Sequence, residues 1–178
     1  MIYFTADLHF YHDNVIKFAN RPFENSQQMN KALIKNWNDK IKPTDEVYIL
    51  GDFTMKGHAL AQEILYQLKG KKHLIKGNHD GFINSPHFEN YLFESISDYK
   101  EINYMNTQFI LFHYPILEWD SFFRGSIHLH GHQHNKPEYN ERMRSEKLLR
   151  YDVGVDANNF FPVSAEQIIS FFEAENLL

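Results

Sequence analysis

Within the first eighty residues, three short apolar runs stop abruptly on clusters of polar side chains. Residues 2–6 end at Asp7-Leu8-His9, residues 47–50 at Gly51-Asp52, and residues 73–76 at Gly77-Asn78-His79-Asp80. Stretches with helical spacing lie between them. Met29, Leu33, Trp37 and Ile41 recur at steps of four, which predicts an amphipathic helix over 27–41. Leu60, Ile64, Leu65 and Leu68 share one face over 58–69, with Gly70 as the stop. Strand, helix, strand, helix, strand argues for a parallel sheet with helices packed on it. In an open α/β sheet, ligands gather at the carboxyl ends of the strands. Polar clusters at all three ends therefore point to a site there.

The second half reads differently. Segments 93–104, 107–113, 126–131 and 148–155 look like strands joined by shorter loops. Residues 136–150, with five basic and three acidic side chains, read as a solvated hairpin that could frame a nucleotide. A last helix opens at Ser164, with Gln167 three positions on as a capping box, and runs to about residue 175. No repeat, low-complexity tract or linker interrupts the chain, so one domain is expected over residues 1–178, of the α/β class.

Composition narrows the chemistry. Hydrophobic residues make up 43% of the chain and aromatics 16%, a globular balance rather than a disordered one. There is no cysteine, so any metal must be held by imidazole, carboxylate or amide groups. Residues 1–7 lack the basic start of a signal peptide, and no apolar run approaches the ~20 residues of a membrane span. The expectation is a soluble, cytoplasmic protein without a membrane partner. A formal charge of −5 argues against docking along duplex nucleic acid.

Eleven histidines are the oddity, and His128, His130, His132 and His134 alternate within one stretch. Side chains at i and i+2 of an extended segment face the same way. Asp7 and His9 are therefore expected to reach one ion, and His132 and His134 one shared centre. His113 follows the apolar run 109–112 and would arrive at the same sheet edge. Glycine before Asp52, Asn78 and His132 is expected to permit a tight turn. Such donors suit divalent transition metals. With two such ions, two aspartates and one bridging hydroxide, the site would carry about one net positive charge, which welcomes a phosphate anion. Two ions roughly 3.5–4 Å apart can generate hydroxide near neutral pH and brace an in-line displacement. Loop capping is the plainer reading of an Asp or Asn at a strand end. It accounts for any one of these residues, but not for seven in order.

Asp7-x-His9, Gly51-Asp52, Gly77-Asn78-His79-Asp80, His113 and Gly131-His132-Gln133-His134 resemble the five ordered motifs of the calcineurin-like metallophosphoesterase superfamily. The spacing is that of its small single-domain members, and Val153-Gly154-Val155-Asp156 is similar to a stretch in bacterial and phage members. The resemblance implies a four-layer α/β/β/α sandwich, with two mixed β-sheets flanked by helices. It implies one metal on Asp7, His9, Asp52 and His134, and another on Asp52, Asn78, His113 and His132, with Asp52 bridging. His79 would donate a proton to the leaving oxygen or bind a phosphoryl oxygen, and Asp80 would orient His79 or cap the next turn. The cofactors would be two divalent ions from Mn, Fe, Zn or Ni, manganese first. The activity would be hydrolysis of a small phosphoester, by attack of metal-generated hydroxide, on a monoester, a diester or a nucleotide. Purple acid phosphatases place a tyrosine ligand three residues after the bridging aspartate, where this chain has Met55. The alternative is a non-catalytic scaffold on the same fold, as in the retromer subunit, and a third reading is a single structural metal.

Several other residues offer further chemistry. His12, Arg21 and Arg124 are candidates for substrate contact, the arginines because guanidinium matches phosphate bidentately. His128 and His130 could line the site or be satisfied strand-face residues. His58, His73 and His87 read as surface or cap residues. Tyr11, Phe122 and Phe123 could stack on a base.

Overall fold

The computed structural model describes residues 1–178. Strand β1 (Ile2–Thr5) is followed by helices α1 (Asp13–Phe18) and α2 (Ser26–Lys40), strand β2 (Glu46–Leu50), helix α3 (His58–Leu65) and strand β3 (Lys71–Ile75). Asn25 starts α2 by accepting the Gln28 N–H at 2.9 Å, and Met29, Leu33 and Trp37 are buried along it. The Trp37 indole N–H finds the Lys69 carbonyl at 2.8 Å. α3 stops at Leu65, earlier than its apolar spacing suggests, and the chain turns back through Gly70 at φ +87°.

Strands β1, β2 and β3 are parallel neighbours, as the alternation of strands and helices predicts. The sheet is completed by β4 (Ser95–Ser97), parallel to β3, and by β9 (Val163–Ser164), antiparallel to β1. Its five strands run in the order β4-β3-β2-β1-β9. One face, with Tyr3, Val47, Ile49 and Leu74, packs on α1, α2 and α3. The other, with Phe4, Tyr48, Leu50 and Ile75, faces a second sheet. That sheet orders β5 (Tyr99–Tyr104), β6 (Thr107–Phe112), β7 (Ile127–His130) and β8 (Arg150–Asp152), and β5 is its antiparallel edge. Phe109, Leu111, Ile127 and Leu129 project into the shared core. Each such buried side chain is worth about 1.5–3 kcal/mol.

Helix α5 (Ala165–Glu173) adds Ile168, Ile169 and Phe172 to the inter-sheet core. Its capping box forms as expected, Ser164 and Gln167 each receiving the other's backbone N–H. Helix α4 (Glu138–Ser145) guards the β8 edge, where the Asn140 amide pairs with both backbone groups of Asp152 as a neighbouring strand would. Helices, sheet, sheet and helix give the expected four layers.

Three local expectations are corrected. Residues 93–104 are two strands: the chain leaves the first sheet after Ser97 and enters the second at Tyr99. Residues 136–150 contain α4 instead of a hairpin. Only Asn140 and Met143 of that helix are buried, so it has almost no apolar stripe to read. His73 is a sheet residue, its ring between Glu46 (2.6 Å) and Ser95 (2.8 Å) and stacked on Tyr48. No helix is long and apolar enough to cross a membrane.

Candidate metal centre

The loops after β1 and β2 continue side by side beyond the sheet. Asp7 N–H donates to Gly51 O at 3.0 Å, His9 N–H to Asp52 O at 2.9 Å, and Phe10 N–H to Phe53 O at 2.9 Å. The second sheet is tied to the same spot. Val155 N–H donates to Ala6 O at 3.1 Å, and Gly131 N–H to His113 O at 3.0 Å. Both sheets therefore deliver their strand ends to one place.

The backbone there is not extended. Asp7, His9, Asp52, His132 and His134 have φ of 56°, 50°, 55°, 73° and 51°, left-handed values that L-residues adopt at a cost. The i, i+2 alternation of an extended segment therefore does not hold here. Asp7 and His9 do share a group, but His132 and His134 part. Asp7, His9 and His134 place ligand atoms within 4.8 Å of one another, and Asp52, His113 and His132 do the same.

Asp52, a member of the second group, also reaches toward the first. Its Oδ2 lies 3.5 Å from His9 Nε2, and its Oδ1 3.6 Å from His113 Nε2. Two glycines owe their place to space and not to turning: a Cβ on Gly77 would lie 2.4 Å from Asp52 Oδ1, and one on Gly131 would lie 2.6 Å from Asp7 Oδ2. Each carboxylate therefore rests directly on backbone. His132 N–H donates to both Asp7 oxygens, at 3.0 and 2.8 Å.

The imidazoles are oriented from behind. His113 Nδ1–H donates to Leu50 O at 2.7 Å, and His134 Nδ1–H to Asp156 Oδ2 at 2.9 Å. Each partner only accepts, so each Nε2 is left with a free lone pair, the arrangement usual for metal-bound histidine. His113 Nε2 meets another acceptor, Asn78 Oδ1, at 3.1 Å. Both ring nitrogens of His9 are buried without a hydrogen-bond partner, a costly state for a polar group. Burial, with His134, Arg21, His12 and His79 around it, pushes His9 down to about 2, so its ring is neutral. Burial, then the charges of Asp152 and Asp52, pushes the Asp7 carboxyl well above its usual range. The neutral His9 ring and the oriented rings of His113 and His134, beside crowded carboxylates, fit divalent cations.

The remaining candidates divide. His79 is at the rim, its side chain 37% exposed and Nε2 3.9 Å from Asp52 Oδ2; its N–H anchors Asp52 Oδ1 at 2.9 Å. His12 packs its ring on that of His9, centroids 5.5 Å apart. Asp80 does not reach His79. Its carboxylate accepts the N–H groups of Asp52, Phe53 and Gly77 at 2.8–3.0 Å, so it positions the loop that carries Asp52. Arg21 is not a phosphate clamp. It is buried, bidentate to Asp156 at 3.0 and 2.7 Å, and donates to Asp7 O and Leu8 O. Arg124 lies exposed on a one-turn segment and touches none of the centre's residues.

Histidines 128 and 130 are satisfied on the outer face of β7. His128 Nδ1–H donates to Ile110 O and its Nε2 accepts the Ile116 N–H, while His130 Nδ1–H donates to Gly131 O and its Nε2 accepts the Tyr139 hydroxyl. Tyr11 donates to Glu63, Phe122 packs on Trp119, and Phe123 is 87% exposed. Sequence reasoning missed Asp152, Asp156 and Tyr114. Tyr114 packs edge-on against His113 and His132. Asp156 was within reach, because it closes the Gly154-Val155-Asp156 stretch already singled out.

The chain matches relatives along nearly its whole length. It is 36% identical over 174 residues to the uncharacterized protein MJ1445 of Methanocaldococcus jannaschii, covering 97% of this chain and 91% of that one. It is 27% identical to the Gene 66 protein of Mycobacterium phage L5, covering 87% and 86%. The crystal structure of AQ665 from Aquifex aeolicus, a protein of unknown function, superposes with a TM-score of 0.77 at 28% identity, over 96% of this chain and 98% of that one. The profile of the calcineurin-like phosphoesterases matches residues 1–161. With that match and two groups of side chains at the strand ends that could hold metal ions, the chain belongs to the calcineurin-like phosphoesterase family.

Proposed function

We propose that this protein hydrolyses a small phosphoester with a pair of divalent ions. Asp7, His9, Asp52 and His134 would hold one, and Asp52, Asn78, His113 and His132 the other. The observation that carries the reading is Asp52, which belongs to the group with His113 and His132 and turns its other oxygen to within 3.5 Å of His9 in the group with Asp7 and His134. When bound, the pair supplies a nucleophile near neutral pH and stabilises the charge of an in-line displacement. Manganese, iron, zinc and nickel all suit these donors, manganese being our first choice.

The chain's own residues do the rest. Leu50 O and Asp156 fix the tautomers of His113 and His134, so their Nε2 atoms are available without rearrangement. Asp80 holds the Asp52 loop by three backbone N–H groups. Arg21 ties the Asp7 and Leu8 carbonyls to Asp156, and so keeps the Asp7 loop and His134 in register. His79, exposed at the rim, is placed to hand a proton to the departing oxygen, and His12, beside His9, to contact a phosphoryl oxygen.

Metal-stripped protein, reloaded with each ion, should release nitrophenolate from nitrophenyl phosphoesters and stop when a chelator is added. Retention of the ions with no turnover of mono- or diester under any metal would instead favour a binding module on this fold.

A further inference from the structure

A second cleft opens beside the histidine loop. Its volume is about 400 Å³, and its walls carry Pro115, Ile116, Leu117, Gln133, Arg142 and Arg150. Two walls continue directly from the centre: Pro115 follows His113 by two positions, and Gln133 lies between His132 and His134. The third comes from α4, with Arg142, and the start of β8, with Arg150.

The charge in this cleft is not balanced from within. No acidic residue lines it. Neither arginine forms an ion pair, and the pair on α4 joins Arg144 to Glu141 instead. Arg142 is exposed and lies over the Tyr139 ring, 5.4 Å from its centroid, which holds the guanidinium without neutralising it. Arg150 lies 5.5 Å from the Trp119 centroid and donates through Nη2 to the carbonyls of Ile116 and Leu117. Two un-neutralised guanidiniums in one cleft, in a chain of net charge −5, fit an anion with several acceptor oxygens, and phosphate above all. The apolar wall from Pro115 to Leu117, of which Leu117 is 84% exposed, suits a sugar or base.

We infer that this cleft binds a second phosphate group of the substrate. The favoured substrate is then a phosphodiester whose organic group carries another phosphate one nucleotide step from the bond that is cut. This rests on hydrolysis at the adjoining centre. The test uses the nitrophenyl ester of thymidine 5′-phosphate, with and without a 3′-phosphate, on the metal-loaded protein. Nitrophenolate release reports the diester bond alone. The 3′-phosphate should raise kcat/KM by about tenfold or more, mainly through KM, because hydrogen bonds to charged groups are among the strong ones. The ratio between the two esters should fall towards one in Arg142→Gln and in Arg150→Gln. Arg150 also anchors the 116–117 backbone, so the exposed Arg142 decides the matter if the Arg150 variant does not fold. A ratio near one in the unchanged protein would overturn the inference, and so would a high ratio that survives Arg142→Gln. Release from neither diester, while nitrophenyl phosphate is turned over, would overturn the inference and leave hydrolysis standing; release from none of the three, with any of the four metals, would overturn the hydrolytic reading itself.

Discussion

Replacing Asp52 by asparagine should remove bound metal and turnover together. Asn keeps an oxygen for the His79 N–H, now bonded at 2.9 Å, so the loop has no reason to collapse. What it loses is the negative charge and the second oxygen, the one that faces His9 at 3.5 Å while the first faces His113 at 3.6 Å. Under the proposed assignment Asp52 is the shared ligand, and both ions are weakened at once. The chemistry then forfeits several kcal/mol of charge stabilisation, which is roughly three factors of ten or more in rate. Metal content per chain and kcat/KM on a nitrophenyl diester are the readouts, with thermal unfolding as the check on folding. Full activity in Asp52→Asn would refute the bridge.

His79→Ala should separate what Asp52→Asn joins. The His79 ring is at the rim, and only its backbone N–H supports a proposed ligand, so alanine keeps that support. Metal content should be unchanged while kcat falls by ~10²–10⁴-fold, the range for general acid help. The size of the loss should depend on the leaving group. Nitrophenolate departs readily without a proton, whereas an alkoxide does not, so an alkyl ester should show the larger defect. Equal loss on both esters would point to binding of a phosphoryl oxygen. Loss of metal, or activity within a few-fold of the unchanged protein, would remove His79 from the reaction.

The parts of the fold that rest on apolar periodicity were legible in the chain. Met29, Leu33 and Trp37 mark α2, and the buried runs mark β1, β2, β3, β6 and β7, because burial on one face leaves a period to read. The candidate site was legible for a related reason: each polar cluster sits where such a run stops. Helix α4 escaped because its contact with β8 is made by an amide, Asn140, which carries no hydrophobic signal. Strand β9, two residues long, is too short for any period. The change of sheet at Asp98 could not be read either, since β4 and β5 form one continuous polar-apolar stretch.

Arg21 shows where residue chemistry alone misleads. A guanidinium suits phosphate and carboxylate equally, and only the fold reveals that Asp156, 135 positions away, claims it. The left-handed backbone at Asp7, His9, His132 and His134 was equally hidden. It sends His132 and His134 to different groups.

The central claim is that these scattered side chains meet around a pair of cations. Anomalous diffraction at the manganese edge, from crystals grown with that ion, tests it most directly. Two peaks should appear, one beside Asp7, His9 and His134 and one beside Asp52, His113 and His132, with Asp52 reaching both. No peak at these residues, or a single peak with Asp52 turned away from it, would contradict the account.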